Sequence, residues 1–148
     1  MAFTLNRSEL SQYRPLRKQV KQIDENIREI NDELAELDKY NMELNSVLSG
    51  MPNGNKKRDK IGDFIARLES DRIKLNAKLE FNIAERVAVM HRLYVIRSAV
   101  NSISNDELRN LIKWHFFDGQ SADEIGKKNF MSRYAVQKRI NRFLQDGE

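Results

Sequence analysis

"LRKQVKQIDENIREINDELAEL", Leu16 to Leu37, decides the architecture. Its apolar residues fall at Leu16, Val20, Ile23, Ile27, Ile30, Leu34 and Leu37, in alternating steps of four and three. That spacing returns each apolar side chain to one stripe of a helix and defines a heptad seam. The residues between, "KQ", "DEN", "RE" and "NDE", make a solvated face. The pattern runs on through Asn41, Leu44 and Leu48, so a helix is predicted from about Ser8 to Leu48. Val20, Ile23, Ile27, Ile30, Leu34, Leu37, Asn41 and Leu44 form the expected oligomer seam. Asn41 has two readings: a polar device that fixes register, or a frayed position near a hairpin tip.

Outward from this seam, "SGMPNGNKK" (Ser49 to Lys57) holds two glycines, a proline and Asn-Gly, a firm break. A second helical pattern follows from about Asp59 to Ile103. Ile61, Ile65, Leu68, Leu75 and Leu79 keep a heptad register, with Arg72 in one seam position. Beyond Leu79 the apolar steps become four and four, to Ile83 and Val87, then run to Met90, Leu93 or Tyr94, Ile96 or Arg97, and Val100, which predicts a stutter and a change of buried face. Two long helical patterns joined by a short loop imply an antiparallel hairpin. An isolated two-helix hairpin buries little surface, so a homodimer is expected.

The C-terminal residues change character. Ser104-x-x-Glu107 and Ser121-x-x-Glu124 read as capping boxes, and Ser132 reads as an N-cap. Three helices are predicted: Ser104 to about Phe117, ended by Asp118-Gly119; Ser121 to about Lys128; and Arg133 to about Gln145. The fold class is therefore all-α, a long helical hairpin over residues 1–103 with its loop at 49–57, then a helix-turn-helix head over 104–148. In the last helix Val136, Ile140 and Phe143 or Leu144 should face the core. The opposite face carries Arg133, Tyr134, Gln137, Lys138, Asn141 and Arg142, and no acid occurs from Ser132 to Gln145. Basic and amide side chains suit a helix in the major groove of double-stranded DNA. Basic residues late in a helix also complement its dipole, so this face alone leaves both readings open.

The stretch from Ile103 to Leu144 resembles region four of bacterial sigma factors. The matching pieces are the aromatic pair Phe116-Phe117, the link Gly119-Gln120-Ser121, Glu124-Ile125-Gly126, and Ser132 to Val136. With the Pro-Gly loop and the Asp-Lys-Ile helix start behind it, the chain is similar to phage transcription regulators of the RinA and ArpU type. That resemblance implies sequence-specific DNA binding and regulation of phage genes, late ones among them. Activation would proceed either by recruiting RNA polymerase or by docking on it in place of the host sigma factor. Base-reading positions map onto Arg133, Tyr134, Gln137 and Lys138, and backbone contacts onto Lys127, Lys128, Arg139 and Arg142. Where that pattern has a buried leucine and a turn glycine, this chain has Asn129 and Phe130. Asparagine tolerates positive φ and phenylalanine does not, so Asn129 is expected to take the left-handed turn and Phe130 to point inward.

Composition narrows the rest. The 148 residues carry a net charge of +4, with a pI of about 9.4, which favours an anionic partner weakly. There is no cysteine, hence no disulfide or thiolate metal site. The only histidines, His91 and His115, lie far apart with no acid cluster at ligand spacing, so no metal and no cofactor is expected. His91 and Trp114 are expected in the core or at its boundary. No nucleophile elbow or phosphate loop argues for an enzyme. No run approaches the roughly 20 apolar residues of a membrane helix, and the N-terminus lacks a signal-peptide run. The expected location is the cytoplasm of a bacterial host. "KKR", Lys56 to Arg58, and the acid-free strip holding Arg86, Arg92 and Arg97 are either added DNA contacts or solvated surface. The alternative to a DNA reader is a coiled-coil adaptor whose head binds a protein such as RNA polymerase or a phage assembly component.

Overall fold

A computed structural model describes residues 5–146, and among them every regular element is helical. The order is α1 (Arg7–Ser11), α2 (Tyr13–Ser49), α3 (Lys56–Asn101), α4 (Asp106–Ile112), a π-helical turn (Lys113–Phe117), α5 (Ala122–Asn129) and α6 (Arg133–Asp146). α2 and α3 form a long hairpin-like arrangement. The predicted first helix is interrupted at Gln12 because Pro15 has no N–H to continue the ladder and its ring crowds the carbonyl of Ser11. The chain divides into two compact units: residues 22–86, and residues 1–21 with 87–148. The division falls within both long helices.

In the unit of residues 22–86 the seam is thin. Ile23 and Ile30 are buried, while Ile27, Leu34, Leu37, Asn41, Leu44 and Leu48 are half-buried. The seam positions of α3, namely Ile61, Ile65, Leu68, Arg72, Leu75 and Leu79, are half-buried in turn. Asp38 pairs with Arg72, and Asp24 with Arg86 at 2.5 Å, each joining α2 to α3. The seam therefore already serves the pairing of these two helices within one chain. Asn41 does not reach across: its Oδ1 accepts from Asn45 Nδ2 at 3.0 Å in the same helix. At the loop Gly54 takes φ 80°, and the Arg58 guanidinium donates to the carbonyls of Leu48 (2.8 Å) and Met51 (3.0 Å). Arg58 thus ties the loop to the last turn of α2, and only Lys56 and Lys57 of the "KKR" run are exposed.

The expected stutter after Leu79 does not occur. The inward positions continue through Asn82, Arg86, Val89, Leu93, Ile96, Val100 and Ile103 in unbroken steps of three and four. Ile83 and Val87 are exposed instead, at 46% and 63%. Two polar residues hold seam positions because each has a local partner. Asn82 donates to the Lys78 carbonyl at 2.8 Å, and Arg86 lays its stem along the seam while its guanidinium reaches Asp24.

The other unit contains most of the buried residues. Leu10, Ile96, Val100, Leu111, Ile112, Ile125 and Val136 are all below 2% exposed. Leu10, Tyr13 and Leu16 belong to this core, which the sequence pattern did not predict. Leu10 of α1 is fully buried, and Tyr13 stacks on Phe117 with ring centroids 3.9 Å apart. The N-cap of α4 is Asn105, whose Oδ1 accepts from Leu108 N at 3.1 Å, one residue later than the expected Ser104. Arg109 fixes that junction by donating to the Ile103 carbonyl at 3.0 Å and to Asp106 at 2.5 Å. Phe116 is buried and Phe117 half-buried. His91 is exposed, contrary to the boundary position expected of it, because it lies on the side of α3 away from Leu93 and Ile96. Among the described residues no helix is long and apolar enough to cross a membrane.

Candidate nucleic-acid interface

α5 and α6 are each started by a serine. Ser121 Oγ accepts from Glu124 N at 3.1 Å, and Ser132 Oγ from Ala135 N at 3.0 Å. Each bond satisfies an N–H that the first turn of a helix leaves open. Val136, Ile140 and Leu144 then bury one side of α6, with Phe143 half-buried beside them. Arg133, Tyr134, Gln137, Lys138, Asn141 and Arg142 are exposed on the remainder.

The turn corrects the expected assignment. Asn129 stays helical, and its Nδ2 donates to the Ile125 carbonyl at 2.8 Å, four residues back. Phe130 takes the left-handed conformation, φ 57° and ψ 39°, and is 99% exposed. The N–H groups of Phe130 and Met131 both reach the Gly126 carbonyl, the latter at 2.9 Å; Met131 makes the 6→1 bond of a Schellman ending and Phe130 the 5→1 bond of an αL ending. Gly126 makes this tight reversal possible. A Cβ there would lie 2.4 Å from the Met131 carbonyl oxygen. Tolerance of positive φ favoured Asn129, but its side chain secures the last helical turn and passes the reversal to the next residue.

The cations of this surface differ in how they are held. Lys127 pairs with Asp123 at 3.3 Å, and Arg139 pairs with Glu107 of α4. Lys128, Arg133, Lys138 and Arg142 carry no ion pair among the described residues; Lys138 Nζ lies 6.0 Å from the centre of the Tyr134 ring. Arg133 stands in the first turn of α6, where a positive charge opposes the helix dipole, and Lys138 lies mid-helix, well before the last turn. Dipole complementation therefore does not account for them. Beside α6 an open groove is lined by Arg7, Ser121, Asp123, Arg133, Gln137 and Asn141.

Two residues of this surface have no signal in the local sequence. Arg7 donates to Asn141 Oδ1 and lies over the Phe116 ring at 5.7 Å, and Glu107 holds Arg139. Both partnerships join residues distant in the chain. His115 Nδ1 stands 2.8 Å from the Gln120 carbonyl, a contact within the link before α5. Of the acid-free strip on α3, Arg86 is held by Asp24 and Arg92 by Gln12, which leaves Arg97 exposed. Among the described residues no three His, Cys, Asp or Glu side chains group to hold a metal. No family model, curated protein or solved structure matches the chain.

Proposed function

We propose that this protein is a sequence-specific DNA-binding regulator of phage transcription, with α5, the turn at Phe130 and α6 acting as a helix-turn-helix. The observation that carries the reading is the outer face of α6. Arg133, Lys138 and Arg142, without ion pairs among the described residues, stand there with Tyr134 and Gln137, and no acid interrupts them from Ser132 to Gln145. Guanidinium and amide groups at the start of such a helix match guanine and adenine edges, and the remaining cations match phosphates. The likeness to sigma region four and to RinA and ArpU regulators supports the same reading, with RNA polymerase as a further partner. Two copies bound to adjacent half-sites would fit a homodimer.

A duplex-binding titration at several salt concentrations tests this. If about four cations neutralise phosphates, log affinity should fall with log salt at a slope of about −3.6. Arg133→Ala with Lys138→Ala should weaken binding to a selected duplex about 100-fold while the melting temperature holds. Absence of binding by the parent protein at low salt refutes the reading. The adaptor alternative draws on one observation: Ile73, Phe81, Val87 and Tyr94 leave apolar surface on the outer side of α3.

A further inference from the structure

Phe130 is the residue of this molecule that folding explains least. Among the described residues it is the single non-glycine with positive φ. A left-handed residue with a Cβ is strained, and a glycine would relieve that strain. Burial gives nothing back, because the side chain is 99% exposed. The reversal closed on Gly126 turns position 130 to solvent. An aromatic ring there contributes neither to the core nor to the turn.

We propose that Phe130, with Tyr134, is an apolar reader of thymine methyl groups in the major groove. This inference rests on the DNA-binding reading of α6. Phe130 lies two residues before the N-cap Ser132, at the end of α6 that in such motifs approaches the base edges. Tyr134 is itself 71% exposed in the first turn. The two rings are flanked in sequence by Lys128, Arg133 and Lys138, cations without ion pairs among the described residues. A protein pocket that took the ring would have to desolvate or match these charges. A major groove matches both features, with phosphates along its rims and the thymine methyl as the apolar group on its floor. Strain retained at an exposed site is the pattern of a residue kept for binding.

The test uses the full chain and duplexes selected from a random pool by the parent protein. Each selected duplex is remade with deoxyuridine for thymidine, one position at a time, which removes only the methyl. The parent protein should lose about tenfold in affinity at one or two positions. Phe130→Gly should lose about tenfold on the thymine duplex and show no further loss on the deoxyuridine duplex. Its melting temperature should stay level or rise by about 2–4 °C, since glycine relieves the turn. This separates a binding role from a structural one, which would lower the melting temperature. Phe130→Leu should retain part of the discrimination.

Binding by Phe130→Gly equal to the parent's, or equal losses on deoxyuridine substitution with and without the ring, overturns the proposal and leaves the DNA reading standing. So does a variant that binds DNA normally and fails only to activate transcription, which assigns the ring to a protein partner. Failure of the parent protein to bind any duplex at low salt removes both.

Discussion

Leu10→Ala tests whether α1 is packed into the unit that holds residues 87–148. Leu10 is fully buried, and it sits on a helix of five residues, Arg7–Ser11. Truncating a buried leucine to alanine costs about 2–5 kcal/mol, from lost transfer energy and the cavity that remains. Two features place this site in the lower half of that range. α1 is short and interrupted from α2 at Gln12, so it can move to fill part of the cavity. It can also undock alone, and the cost of undocking then limits the loss. An effect of about 2–3 kcal/mol is expected, a large fraction of the roughly 5–15 kcal/mol that holds a typical domain. Urea unfolding followed by circular dichroism measures it, as a lower midpoint at unchanged slope. Exposed positions change stability by about 0.5 kcal/mol or less, so a loss within that limit would show that Leu10 is not buried. α1 would then not be docked on the core.

Gly126→Ala should cost about 1–3 kcal/mol, because the added methyl meets the Met131 carbonyl, which is backbone and cannot rotate away. A thermal melt equal to the parent's would show that the turn is looser than described. Asn82→Leu should stabilise the protein by about 1 kcal/mol, since position 82 faces the seam and the leucine buries further methylenes. Ile83→Asn, one residue on and exposed, should change stability by about 0.5 kcal/mol or less. The opposite ranking in denaturant midpoints would restore the stuttered register.

What could be read from the sequence was what local spacing encodes. The 4–3 steps from Leu16 to Leu37 and the break at Ser49 to Lys57 specify a helical hairpin without reference to anything distant. Ser121 and Ser132 act as caps because an N-cap needs only its own next turn. The register beyond Leu79 misled because hydrophobicity and geometry disagree there. Phe81, Ile83 and Val87 attract a seam by character, but a continuous helix ending in Val89, Leu93, Ile96 and Val100 holds Asn82 and Arg86 inward by phase. The docking of Leu10 and the stacking of Tyr13 on Phe117 join residues about a hundred positions apart, and no periodicity reports such pairs. At the turn, a preference of asparagine for positive φ lost to one side-chain hydrogen bond, from Asn129 to Ile125.

Net charge alone is a poor guide to this surface. Several of the chain's 26 lysines and arginines are committed to internal partners: Arg58 to the carbonyls of Leu48 and Met51, Arg72 and Arg86 to aspartates of α2, Arg109 to the α3–α4 junction, and Arg139 to Glu107. Those near the turn and along α6, Lys128, Arg133, Lys138 and Arg142, form no such ion pair among the described residues. An excess of +4 spread evenly would attract DNA feebly, whereas Arg133, Lys138 and Arg142, uncommitted on the acid-free face of α6, would on the proposed reading concentrate the attraction where a groove would lie. On the proposed DNA-binding reading the same distinction orders the phosphate contacts. Arg142 can meet a phosphate without giving up an ion pair. Arg139 must first give up Glu107, and an exposed pair of that kind is worth only about 0–1 kcal/mol, so the exchange is open to it but its net gain is smaller.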